Sequence, residues 1–131
     1  MNNVKNDLKN IAWEFAQIIP EYNGDRVRKD ACGAWIVYDD FNNKDSIFGW
    51  EIDHIYPISR LQQLNVPADL WDHPLNLRAL HWKNKFSKGN SYPRYTSMVI
   101  EEGATNMEQR IVFWISEPLQ YELRKLFGLS E

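Results

Sequence analysis

The sequence predicts an α+β fold. An apolar stripe of helical spacing stands at each end of the chain, short strand-length runs rich in aromatic and branched residues lie between, and polar or glycine-bearing stretches separate them. Val4, Leu8, Ile11, Phe15 and Ile18 recur at helical spacing until Pro20, which predicts an amphipathic first helix. Ala34 to Tyr38 has the length and composition of a buried strand, bounded by Gly33 and the polar stretch Asp39 to Asn43. A second strand is expected over Phe48 to Asp53. Asn76 to Leu80 alternates polar with apolar and suits a return strand, and Trp82 to Lys88 reads as a short helix stopped by Gly89. Tyr95 to Ile100 and Arg110 to Ile115 form an expected hairpin across residues 101 to 106. Ser116 then offers an N-cap, Pro118 sits in the first turn, and Leu119, Leu123, Leu126 and Phe127 make one stripe before Gly128, so a closing helix is expected.

With 131 residues, 44% of them hydrophobic and 25% charged, the chain suits one globular domain over 1–131 that buries a core without metal or disulfide support. The single cysteine, Cys32, excludes an intramolecular disulfide and any Cys-x-x-Cys knuckle. A zinc set drawn from Cys32, His73 and His81 has a spacing that matches no common site, so no structural zinc is expected. The first twenty residues mix charges on an amphipathic pattern and no apolar run approaches membrane-spanning length, which makes a cytoplasmic location without a membrane partner the expectation.

The net charge of −3 argues against a protein that coats nucleic acid, because such affinity rests on phosphate neutralisation. The distribution qualifies the total. Between residues 73 and 100 stand Arg78, Lys83, Lys85, Lys88 and Arg94 with no acidic side chain, so one basic stretch stands out from an acidic background.

That stretch also holds half of a motif. Trp50-Glu51-Ile52-Asp53-His54-Ile55-Tyr56-Pro57 is followed after a spacer by Asn76-Leu77-Arg78-Ala79-Leu80-His81-Trp82-Lys83-Asn84-Lys85-Phe86-Ser87-Lys88-Gly89. A phosphodiester repels hydroxide and has a poor leaving group, so its hydrolysis calls for positive charge and a positioned base. Asp53 is a hard oxygen donor suited to Mg²⁺ or Mn²⁺, and His54 carries an imidazole, whose neutral form can take a proton from water. Neighbours on a strand face opposite ways, so the two can approach a reaction centre from different sides. Glu51, on the face of Asp53, reads as a surface or loop-anchoring residue.

These residues, over about 30 to 95, resemble the signature of the HNH endonucleases, or ββα-metal nucleases. The resemblance implies a ββα-metal core over about 48–90, flanked by the first helix, the hairpin at about 95–115 and the last helix. It also implies one divalent ion held by Asp53, His54 as general base, and Asn76 as the residue that braces the loop carrying the histidine. Pro57 and Ser59 match the family's Pro-x-Ser that shapes this loop. Arg78, Lys83, Lys85, Lys88 and Arg94 are the expected phosphate contacts, and double-stranded DNA is the expected partner, read without strong sequence preference. An immunity protein or larger subunit is compatible with the acidic remainder of the surface.

The chain departs from the family at one position. The second protein ligand is expected nine residues after Asn76, which is Lys85, and a protonated lysine repels a cation. Asn84 is one residue earlier, a rotation of roughly 100° on a helix. Three readings are open. Asn84 supplies the ligand through a shift of one position; or Asp53, water and phosphate oxygens hold the ion with Lys85 as a second cation; or the site is crippled and the protein is a binding module for nucleic acid or protein.

Overall fold

The structure, a computed structural model, describes the backbone of residues 4–130 and side chains from Asp7 onward. Its elements are α1 (Val4–Glu14), β1 (Val27–Lys29), β2 (Trp35–Val37), β3 (Trp50–His54), α2 (Ile58–Gln63), β4 (Leu77–His81), α3 (Trp82–Lys88), β5 (Arg94–Thr96), β6 (Val99–Glu102), β7 (Thr105–Glu108), β8 (Val112–Trp114) and α4 (Glu117–Phe127). The strands make four antiparallel pairs: β1 with β2, β3 with β4, β5 with β8, and β6 with β7. The fold is therefore α+β, as the pattern of periodicities predicts. Among the described residues no helix is long and apolar enough to cross a membrane.

The first helix is shorter than expected. It ends at Glu14, and Phe15 and Ile18 are 58% and 60% exposed; Ala12, Trp13 and Ala16 carry the buried face instead. Val4 lies outside the described side chains. Arg28 explains the early stop: its Nη1 donates to the carbonyls of Trp13, Glu14 and Ala16 at 3.1, 3.2 and 3.3 Å, taking up the unpaired groups of the last turn. The strand expected over Phe48 to Asp53 begins later, at Trp50. Gly49 stands before it because the Asn43 carbonyl would lie 1.9 Å from any Cβ at that position.

Strand β4 is covered on both sides. Ala79 joins Ala12, Trp13, Ala16, Ile36 and Trp50 in one apolar cluster, while Leu80 joins Cys32, Ile55, Tyr56, Leu61, Val66, Tyr95, Ile115, Leu123 and Phe127 in another. Burial of a strand on both faces removes the simple alternation that a half-exposed strand shows, and Arg78 is drawn inside with its neighbours. Helix α3 packs against β3, β4 and β5. It thereby joins the β3–β4 pair to the hairpin.

The hairpin spans Arg94 to Trp114, close to the expected range, but its loop is shorter than expected. Its turn is confined to Gly103 and Ala104, and strands run through residues expected as loop, from Val99 to Glu102 and from Thr105 to Glu108. Buried Ser97 spans the interruption between its two halves: its hydroxyl accepts from Ile111 N at 3.1 Å and donates to the Gln109 carbonyl at 3.2 Å. The closing helix has the expected signals, with Ser116 Oγ accepting from Leu119 N, proline in the first turn and Gly128 left-handed at φ 67°.

Candidate functional site

Asp53 and Arg78 are direct partners in the β3–β4 register, so they share a face, and α3 covers that face. Asp53 is 3% exposed. Arg78 Nε donates to its Oδ2 at 3.0 Å, and Lys88 Nζ stands 3.4 Å from its Oδ1 and 3.2 Å from the carbonyl oxygen of His54. The Lys88 side chain has no exposed surface. Burial pushes its ammonium below the ordinary lysine value, with Asp53 pulling the other way. Burial is the largest single influence on Arg78 and acts to lower it, but Asp53 together with Tyr95 and Cys32 raises the guanidinium above its ordinary value. A buried ammonium and a largely buried guanidinium thus share one buried carboxylate.

His54 ends β3 and lines a cleft of about 180 Å³ together with Asp53, Ser59, Lys85, Gly89 and Asn90, among others. Its Nε2 lies 2.6 Å from Oδ1 of Asp72. With the Nε2 proton donated to that carboxylate, Nδ1 carries the lone pair, and it has no partner among the described residues. The chain beyond the histidine is clamped by Asn76, which has no exposed surface. The Asn76 Oδ1 accepts from Tyr56 N at 2.7 Å, its Nδ2 donates to the carbonyls of Tyr56 and Trp71 at 3.2 and 3.1 Å, and its carbonyl accepts from Ile55 N at 2.9 Å. The loop that the resemblance expects Pro57 and Ser59 to shape contains α2, whose Leu61 is fully buried.

Asn84 is not beside Asp53 and does not line the cleft. Its Nδ2 donates to Asp30 Oδ2 at 3.1 Å and to the Val99 carbonyl at 3.0 Å, while its Oδ1 accepts from Met98 N at 2.7 Å and Val99 N at 2.9 Å. Every valence of the amide ties α3 to the hairpin and Asp30, which leaves no Asn84 lone pair facing an ion beside Asp53. Lys85 is the residue of α3 that reaches the cleft, 40% exposed and 3.7 Å from Glu51. Glu51 also lies 3.8 Å from Lys44.

The basic stretch divides by burial. Lys88 is sealed inside on Asp53, and Arg78, largely buried, gives its Nε to the same carboxylate, so neither lines the cleft as a phosphate contact. Lys83 pairs with Glu108 at 2.8 Å, which holds that carboxyl below its ordinary value. Lys85 and exposed Arg94 are the two of the five that remain open to a ligand. His81, 1% exposed, is the N-cap of α3: Nδ1 accepts from Lys83 N at 3.0 Å and Nε2 lies 2.9 Å from the Ile47 carbonyl, with burial lowering its pKa. Cys32 is a buried thiol pushed up to about 12, chiefly by burial, which leaves it unreactive.

Compared with protein-family models, curated proteins and solved structures, the chain matches none.

The donor set does not fit the single Mg²⁺ or Mn²⁺ ion of the resemblance. Both Asp53 oxygens face cations, Asn84 has no free lone pair directed at the cleft, and Lys85 occupies the remaining position. Two residues of the site escaped the sequence reading. Asp72 lies 18 positions after His54 in an irregular loop, where no periodicity links them. Asp30 lies beyond the motif and accepts from Cys32 N, Ala34 N, His81 N and Asn84 Nδ2, joining the β1–β2 turn to α3. A larger cleft of about 400 Å³, lined by Lys44, Ile47, His81, Trp82, Lys83 and Glu108 among others, lacks a free base, because the His81 ring is spent at both nitrogens.

Proposed function

We propose that this protein is an endonuclease of the HNH kind, directed at the phosphodiester backbone of nucleic acid, with double-stranded DNA as the expected substrate and β3, β4 and α3 as its ββα cutting unit. The observation that carries this reading is His54 in the lining of the cleft. It is oriented through Nε2 by Asp72 at 2.6 Å, and the loop behind it is locked by Asn76.

In this reading the Nδ1 lone pair takes a proton from a water molecule as the water oxygen attacks phosphorus. Asp72 stabilises the imidazolium that forms. The bond from phosphorus to the leaving oxygen breaks, and solvent protonates that oxygen. Lys85 offsets charge on the non-bridging oxygens, as a fixed ammonium does best in a partly desolvated cleft. By resemblance the products carry 5′-phosphate and 3′-hydroxyl ends.

A second reading has a specific observation behind it. Asp53, the expected ion ligand, is already neutralised by Arg78 and Lys88, which favours a module that binds nucleic acid or protein without cutting. Plasmid cleavage in Mg²⁺, Mn²⁺ and EDTA separates the two. The nuclease reading expects His54→Ala to lower the rate by about 10²- to 10⁴-fold. Cleavage unchanged by that substitution overturns His54 as base, and no cleavage by the parent chain in any of the three conditions favours the binding module.

A further inference from the structure

The residue that breaks the family pattern is also the cation of the cleft. Lys85 lines it beside His54, Ser59, Gly89 and Asn90, whereas Arg78 and Lys88 are held behind it on Asp53. Asp53, a carboxylate that lines the cleft, is thus met from behind by two cations, while Asp72 is engaged by His54. A carboxylate paired in this way is a poor ligand for a divalent ion, and Lys85 is left as the accessible cation for an anion. The nearest acid to Lys85, Glu51, is 3.7 Å away and shared with Lys44, so the ammonium is loosely held and can turn to a ligand. Lysine serves phosphate as a compact, strongly hydrated point charge.

From this geometry we infer that the cleft is a phosphate-binding subsite whose cation is Lys85, and that it takes the phosphate group without a divalent ion. The role that a metal ion fills elsewhere, neutralising non-bridging oxygens, falls here to a side chain. Asp53 is then not a ligand but the counter-charge that lets Arg78 and Lys88 be buried. The inference rests on the proposed function for its nucleic-acid substrate, but its test does not require cleavage.

The test is an NMR titration of the intact chain in EDTA, first with inorganic phosphate and then with a short DNA duplex, following His54, Ser59, Gly89 and Asn90. Both ligands are expected to shift these signals. Lys85→Gln is expected to weaken both by about tenfold or more, and Lys85→Arg to restore them; the partly exposed position makes either substitution compatible with folding. Mn²⁺ is expected to leave the signals of Asp53 and Lys88 unbroadened. Broadening centred on Asp53, or phosphate binding that appears only with Mg²⁺ or Mn²⁺, overturns the inference, as does the absence of shifts with either ligand in EDTA. Metal-dependent cleavage found alongside those results leaves the nuclease reading standing. Shifts with inorganic phosphate and none with DNA keep the phosphate subsite and remove the nucleic-acid reading.

Discussion

Helix α3 is held on one side by charge and on the other by hydrogen bonds. Toward the β3–β4 pair, Lys88 and Arg78 meet Asp53, and Lys85 meets Glu51. Toward the hairpin, Asn84 and the backbone N–H of His81 meet Asp30, Met98 and Val99. The asparagine side has no spare valence and no access to solvent, so it serves as a fixed joint. The charged side has a cleft, a loosely paired ammonium and a histidine with a free nitrogen, so its members can exchange partners. The cleft therefore lies where charged groups have partners they can exchange rather than where polar groups are fully bonded.

The largest effect is expected on the charged side. Asp53→Ala strands Lys88 and Arg78 without a counter-charge, and a loss of about 3–5 kcal/mol is expected in urea unfolding. A loss below about 1 kcal/mol would mean that water reaches this ion group and that its apparent burial does not govern its energetics. On the other side, Asn84→Ala orphans buried backbone groups of Met98 and Val99, with an expected cost of about 3 kcal/mol. The His54 and Gly89 signals should stay in place in this variant. If they move, the joint and the cleft are one unit and the contrast between the two faces is lost.

A smaller effect is expected from pH. Because burial lowers the His81 pKa, the folded protein binds fewer protons than the unfolded chain just below the ordinary imidazole value of about 6.5. Stability is then full above that value and falls as the pH drops from there toward the folded-state pKa, where protonation removes the acceptor for Lys83 N. Thermal melts between pH 7.5 and 5 should show a weaker slope in His81→Asn, which keeps a capping oxygen and cannot titrate. Equal slopes would place the proton elsewhere. The smallest effect is expected at His54→Ala, within about 0.5 kcal/mol, since its partner Asp72 is half exposed. A large loss there would make His54 a structural residue and weaken its assignment as base.

Much of the fold is legible in the residues. The cap and stop signals of α4, from Ser116 to Gly128, act within one turn of the backbone and need no tertiary partner. The same holds for Gly89 after α3. The stripe through Phe15 and Ile18 misleads because Arg28, a dozen residues on, caps the helix before they join it. The strand at the hairpin's tip is hidden because Thr105-Asn106-Met107-Glu108 has little strand character, and Asn106 holds it by bonding both backbone groups of Trp35.

The site divides the same way. Sequence alone determined which chemical groups are present and in what order along the chain: a carboxylate next to an imidazole, an asparagine 22 residues after the imidazole, and lysines at 85 and 88. The tertiary structure decided which of them are free. Asn76 and Asn84 are identical side chains, yet one braces the histidine loop and the other the hairpin, because their hydrogen-bond partners come from different segments. Lys85 and Lys88 are three residues apart on one helix, yet one stands at the cleft and the other is sealed behind Asp53. The physical reason is that a charge takes its role from desolvation and from the nearest counter-charge, and both are set by the packing of α3 on the β3–β4 pair.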